Sequence, residues 1–215
     1  MPVSEKKLRS NQAWIKRHIN DPFVKQSVKD GYRARSAYKL IELDDKDKLI
    51  KHGMSVVDLG AAPGSWSQVV KNRLVNPKTN DIEGRIIALD ILDMEPIDGV
   101  NFLKGDFREQ EVADQLEALL EGEKVDLVLS DMAANLSGVA VADAARCLLL
   151  NELALDFAQQ NLKPNGTFVC KVFQGSGFSQ FVEVCKKTFR KVVTRKPEAS
   201  RTTSAEVYLV CRQLK

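Results

Sequence analysis

The stretch Ser-Val-Val-Asp-Leu-Gly-Ala-Ala-Pro-Gly-Ser-Trp, residues 55–66, limits the possible folds of this chain more than any other. Val56 and Val57 are adjacent β-branched residues after Gly53, and they suit a short buried strand. Asp58 comes at the strand's end, Gly60 and Gly64 bracket a tight turn, and Pro63 fixes one backbone angle inside it. Ser65, with Gln68 three residues on, has capping-box spacing and predicts that a helix opens there. Strand, small-residue turn and helix in that order point to an open α/β sheet, in which ligands sit at the carboxyl ends of the strands. The glycines are four residues apart, so the turn lacks the G-x-G-x-x-G spacing of a dinucleotide site.

The rest of the chain repeats the theme. Apolar runs ending in an acid recur at residues 85–90, 101–106 and 125–131, so Asp58, Asp90, Asp106 and Asp131 all stand at strand ends. A single such acid is readily a turn or helix cap. Four along one sheet edge favour a cationic or hydroxyl-rich ligand, and Asp90 lies where an acid commonly binds ribose hydroxyls. Further strands are expected at 167–173, 192–194 and 205–211, the last antiparallel to its predecessor because a loop joins them directly. Helices are expected at 5–20, from Asp21-Pro22 to Gly31, after an N-cap at Ser36, and at 66–74, 109–120, 142–161 and 179–189. Met132–Gly138 reads as a small-residue loop, and Lys163–Gly166 as the turn closing the long helix. Lys171 is the oddest residue, a lysine inside the apolar run 167–173. Burying it is costly unless it is paired. It either reaches the strand end as a structural ion-pair partner or, as a neutral amine beside an acid, serves as a base.

The 215 residues suit one domain, and no apolar run reaches the roughly 18 residues of a membrane helix. The first residues lack a signal-peptide core, so a cytoplasmic location is the default expectation. Cys147, Cys170, Cys185 and Cys211 are scattered and expected to be reduced, and His18 and His52 lack metal-ligand spacing, so no metal is expected. Net charge is +3 but uneven: residues 1–39 and 186–215 each carry +7, and residues 40–185 carry −11. Basic ends on an acidic centre suggest a polyanion-binding surface. Arg33, Arg35 and Lys39, interleaved with Tyr32 and Tyr38, have the chemistry for phosphates and bases.

Five segments in order then resemble one family. They are Arg-Ser-Ala-Tyr-Lys-Leu at 35–40, Asp-Leu-Gly-Ala-Ala-Pro-Gly at 58–64, Ser-Asp-Met-Ala at 130–133, Lys-Val-Phe-Gln-Gly at 171–175, and Arg-Lys-Pro at 195–197 with Ser-Ala-Glu-Val-Tyr at 204–208. The chain resembles the FtsJ-type (RlmE-like) 2′-O-ribose methyltransferases of large-subunit ribosomal RNA, which use S-adenosylmethionine (SAM). The resemblance implies a Rossmann-like α/β fold with a seven-stranded, mostly parallel sheet, an antiparallel last strand and helices on both faces. Residues 1–34 would be a basic helical extension, and 35–215 the methyltransferase domain. The family's Lys-Asp-Lys-Glu tetrad falls on Lys39, Asp131, Lys171 and Glu206, with Lys171 as proton acceptor. Asp58, Gly60, Gly64, Trp66, Asp90, Asp106 and Asp131 would form the SAM site, and Arg33, Arg35, Lys196 and Arg201 would hold RNA phosphates. The implied target is a uridine in the peptidyl-transferase A-loop of 23S rRNA, within an assembled subunit, methylated by a monomer late in subunit maturation. The chain departs from the family at Ser65, where glycine is usual, and at Ala134, often proline. Alternatives are a 2′-O-methyltransferase of tRNA or an mRNA cap, and a non-catalytic RNA-binding assembly factor.

Overall fold

The computed structural model describes residues 19–134 and 140–215. The helix expected at 5–20 therefore lies outside the described residues except for Ile19 and Asn20, which are helical, and so do His18 and residues 135–139 of the small-residue loop. The elements in chain order are α1 (Pro22–Asp30), α2 (Ala37–Asp47), β1 (Ser55–Leu59), α3 (Ser65–Leu74), β2 (Arg85–Asp90), β3 (Asn101–Lys104), α4 (Gln110–Leu120), β4 (Val125–Ser130), α5 (Ala140–Asn161), β5 (Leu162–Phe173), α6 (Phe178–Thr188), β6 (Phe189–Arg195) and β7 (Glu206–Leu214). Among the described residues, no helix is long and apolar enough to cross a membrane.

The strands form one seven-stranded sheet in the order β3-β2-β1-β4-β5-β7-β6. The first five are mutually parallel, and β7 is antiparallel to both β5 and β6. Parallel strands covered on both faces read as unbroken apolar runs, which is how β1, β2 and β4 look in the sequence. Alternate side chains of those strands feed two cores. One packs α2 and α3 through Leu40, Leu43, Trp66 and Val70. The other packs α4, α5 and α6 through Leu116, Phe157 and Phe181. Helices thus cover both faces, and the Rossmann-like expectation holds.

The sequence left the place of β7 open. It lies inside the sheet, because Val207–Cys211 is buried along its whole length and needs a neighbour on each side. The edge goes to β6, whose Arg190, Lys191 and Thr194 are exposed. The expected turn at Lys163–Gly166 falls within the bounds of β5, as a bulge between the Val125–Leu162 and Leu127–Thr167 pairings.

Two caps differ from expectation. Asp21 does cap α1, accepting the Phe23 amide at 3.0 Å, and Pro22 takes the first helical position. Ser65, however, forms no capping box with Gln68: the N-cap of α3 is Gly64, at φ 105°. Both side chains face the N-terminal segment instead. Ser65 Oγ lies 2.7 Å from Ser36 Oγ, while Gln68 accepts from the Arg33 amide at 2.9 Å and donates to the Gly31 carbonyl at 3.0 Å. Ser36 is committed to that contact and makes no side-chain cap for α2.

Candidate active site

Strand order reverses between β1 and β4, and that switch point is where an open α/β sheet holds its ligand. A cavity of about 440 Å³ opens there, walled by Gly60, Asp90, Asp106, Asp131 and Arg146, with the half-exposed Ile91, Leu92 and Leu149 around them. Gly60 lets the ends of the two strands meet: a Cβ on it would lie 2.8 Å from Met132 Cγ and 2.9 Å from the Met132 Cα. Its φ of 79° is a second reason for glycine.

The strand-end acids divide into different jobs. Asp90 accepts the amides of Ala62 at 2.9 Å and Leu92 at 2.8 Å, and each of its oxygens keeps a lone pair for a further donor. Asp106 is bound by Arg108, which holds its carboxyl below the usual range. Asp58 is fully buried beneath α3 and takes the Ser67 hydroxyl at 2.7 Å. Burial pushes its pKa up to about 7, and the Asp131 and Asp90 charges add to the rise. Asp58, Gly64 and Trp66 therefore support the cavity from behind, and are not among its lining residues. Trp66 is buried, with its indole N–H donating to the Ser36 carbonyl at 2.8 Å.

The four residues expected to carry chemistry do converge. Lys171 Nζ, near the end of β5, lies 3.1 Å from Asp131 Oδ1 and donates to the Asp131 carbonyl at 2.5 Å. Lys39 Nζ, in the first turn of α2, lies 2.6 Å from Glu206 Oε1. Burial opposes ionisation of Glu206, but the Lys39 ammonium, with smaller help from Ser200 and Lys171, holds the carboxyl below its ordinary value. All four side chains are less than one-fifth exposed, so neither ion pair is a loose surface contact.

Tyr208 joins the two pairs and escaped the sequence reading. Its hydroxyl donates to Asp131 Oδ1 at 2.8 Å, and the Lys39 ammonium stands 5.8 Å from its ring centroid. The ring packs at 5.7 Å on Trp66. Burial drives its pKa well above the usual phenol value, so it remains a donor. The two-residue period of a strand places Tyr208 on the same face as Glu206, and that was the available signal. The register then sets Tyr208 directly opposite Lys171.

Helix α2 also anchors the loop that leads to Glu206. Glu42 accepts the amides of Glu198 at 2.5 Å and Ala199 at 2.8 Å. Asp47 takes Arg195 in a two-pronged pair at 2.7 and 2.9 Å, and Arg195 holds its carboxyl below the usual range.

The cations expected to meet phosphate mostly serve the protein. Arg33 spreads its guanidinium over three backbone carbonyls, those of Pro63 at 3.0 Å, Glu95 at 2.6 Å and Pro96 at 2.9 Å. Arg35 pairs with Asp21 at 3.0 Å and donates to the Ala199 carbonyl at 2.5 Å. Lys196 donates to the carbonyls of Ser204 at 2.7 Å and Glu206 at 2.5 Å. Arg201 lies 3.8 Å from Asp21 and is 41% exposed, so of the four its head group is the most available. Among the described residues no three His, Cys, Asp or Glu side chains gather as metal ligands.

A test separates the two uses of Arg33. Arg33→Ala should lower unfolding stability in urea by about 1–3 kcal/mol, the usual size for hydrogen bonds made by a charged donor. Arg33→Lys should restore only part, because an ammonium cannot span three carbonyls as a fork does. Unchanged midpoints in both variants would mean that these contacts hold nothing.

Comparison with known proteins agrees with this geometry. Residues 32–214 match the FtsJ-like methyltransferase family. Proteins named ribosomal RNA large subunit methyltransferase E, from Burkholderia cenocepacia and Burkholderia multivorans, are 58% and 57% identical over 97% of this chain and 98% of their own length. A Plasmodium falciparum crystal structure, provisionally described as a ribosomal RNA methyltransferase, superposes with a TM-score of 0.73 at 33% identity, covering 85% of this chain and 98% of that one. A Streptococcus mutans structure, provisionally described as a methyltransferase and solved with S-adenosylhomocysteine, shares the fold at a TM-score of 0.51 and 10% identity, over 82% and 97% of the two chains. With its matched region running from Tyr32 to Leu214 and so taking in all four ion-paired residues, the chain belongs to the FtsJ-like methyltransferase family.

Proposed function

We propose that this protein transfers a methyl group from SAM to a ribose 2′-hydroxyl of large-subunit ribosomal RNA. The observation that carries the reading is the pair of largely buried Lys–acid contacts bridged by Tyr208, with Asp131 belonging both to that cluster and to the cavity wall. The names borne by relatives 58% identical support the RNA class.

The cavity suits SAM on its own chemistry. Asp90 has free lone pairs for ribose hydroxyls, Asp106 shares the cavity wall with the apolar Ile91 and Leu92, which suit a base, and Asp131 offers a carboxylate to a donor bearing positive charge. Gly60 would allow close backbone approach, while Asp58, Gly64 and Trp66 hold the turn from behind. Bound there, SAM supplies an electrophilic methyl on a sulfonium. The remaining work falls to this chain. A 2′-hydroxyl is a very weak acid, and its proton must leave during or after attack. Lys171, aimed by two contacts to Asp131, is placed to receive it. Lys39, fixed by Glu206 and near the Tyr208 ring, is placed to hold the sugar in line. Tyr208 and Lys171 together fix the orientation of Asp131. A 2′-hydroxyl requirement also separates RNA from DNA.

The finer reading is a uridine of the peptidyl-transferase A-loop in 23S rRNA, methylated in the cytoplasm by a monomer acting on an assembled subunit. The test is transfer of tritium from labelled SAM to purified large subunits, free 23S rRNA, tRNA and capped RNA, with 2′-O-methyl positions then mapped. Label in the large subunit at a single uridine is the expected result. Label confined to tRNA or cap would move the enzyme to another substrate, and no label in any RNA would leave a binding protein with this fold.

A further inference from the structure

The most concentrated charge in the chain lies outside the tetrad. Residues 186–196 hold six cations and no acid: Lys186, Lys187, Arg190, Lys191, Arg195 and Lys196. This run covers the end of α6 and the whole of β6, one of the two edge strands of the sheet. Its members divide by what they touch. Arg195 is bound to Asp47, Lys196 to two carbonyls, and Lys186 to Glu183 at 2.8 Å. The side chains of Lys187, Arg190 and Lys191 are exposed, and among the described residues none makes a hydrogen bond or ion pair, although Glu183 lies within electrostatic reach of Lys187. Lys191 stands directly opposite Arg212 on β7, but Arg212 is turned to Asp47, so the free cation of that pair is Lys191.

The direction of β6 gives this strip its meaning. The strand is antiparallel to β7, so its last residue, Arg195, pairs with Tyr208 at the catalytic edge, and its first, Phe189, pairs with Leu214 at the far end. From Arg195 back to Arg190 is five residues, about 17 Å of extended chain at the usual rise per residue. Resting on the RNA methyltransferase reading, we propose that the β6 edge is the track for the RNA backbone flanking the target nucleotide, with Lys187, Arg190 and Lys191 as its phosphate contacts. Arg33, Arg35 and Lys196, whose head groups are already turned to carbonyls and carboxylates of the protein, build the scaffold beside it.

The competing use of such cations is protective, since lysines on an exposed edge strand prevent sheet-to-sheet association. Charge reversal separates the two, because a glutamate guards an edge as well as a lysine does but repels phosphate. The triple variant Lys187→Glu, Arg190→Glu, Lys191→Glu is compared with wild type in the full chain. Its SAM affinity and thermal midpoint serve as checks on folding. Binding to a large-subunit rRNA transcript is measured without SAM across a salt series, and turnover is measured separately. The track predicts RNA affinity at least tenfold weaker, a log–log salt slope smaller by about 2 to 3 because each lost phosphate contact removes roughly 0.7–0.9, and KM for RNA raised while kcat is kept. An unchanged slope and KM in a folded, monodisperse variant overturns the track. So does an unchanged slope in a variant that aggregates, which assigns these residues to edge protection. If the triple reversal itself prevents folding, Arg190→Gln alone still predicts a slope smaller by about 1. Wild-type protein that binds the transcript in this pattern but transfers no methyl would sink the enzymatic reading and leave the track standing.

Discussion

Lys171→Ala is expected to reduce methyl transfer by about 10²–10⁴-fold, the range for losing a positioned general base, with SAM affinity within twofold of wild type. The separation follows from geometry: Lys171 contacts Asp131 but is not part of the cavity lining. Alanine alone is open to a structural objection. Removing one partner of a buried ion pair leaves the other uncompensated, at a cost of up to about 3–5 kcal/mol. Here the cost is smaller, since Tyr208 still donates to Asp131 and that carboxylate is 18% exposed. Lys171→Arg answers the objection, because it keeps a cation beside Asp131 yet does not release a proton in proteins. Both variants should be inactive in single-turnover assays with saturating SAM, and the arginine variant should unfold close to wild type. Substantial turnover by Lys171→Arg would show that the proton goes elsewhere.

The second large effect concerns Asp58 and is read in stability. Its folded pKa of about 7 lies above the ordinary 3.8, chiefly through burial. A carboxyl raised in this way binds its proton more tightly in the native state. Its stabilising contribution is complete below pH 3.8 and is lost as pH rises through 7. At about 1.4 kcal/mol per unit, the loss across that window is on the order of 4 kcal/mol. Asp58→Asn removes the titration while keeping the shape and the contact to Ser67. The stability of the variant minus that of wild type, from urea unfolding at intervals between pH 4 and 8, should climb through the window and level off above it. A constant offset attributable to the buried amide does not alter that shape. A flat difference would mean that the carboxyl does not change protonation within the native state between those limits.

Much of this arrangement was visible in the sequence because it is local. A strand ending in an acid, followed by small residues and a helix, leaves its mark within a dozen positions, so the sheet's parallel half and Asp90 and Asp131 at its edge were readable. Lys171 stood out because an apolar strand rarely tolerates a lysine. What escaped depends on partners far along the chain. Ser65 had capping-box spacing, but Ser36, 29 positions away, captured its hydroxyl. Arg33 looked like a phosphate ligand until the fold brought Pro63, Glu95 and Pro96 around it. The interior place of β7 was readable in principle, since five successive buried positions do not suit an edge. Net charge indicated basic ends but not which cations were already occupied.

The links from Glu42 and Asp47 to the 195–199 segment have one more consequence. Helix α2 bears Lys39, and the segment it grips leads straight into Glu206, so the two halves of that ion pair sit on one clasp even though they are 167 positions apart in the chain. Amide exchange at Glu198 and Ala199 should then keep pace with exchange within α2, as one cooperative opening unit. Weakening the clasp at Glu42 should blur the distance between Lys39 and Glu206 without touching either residue.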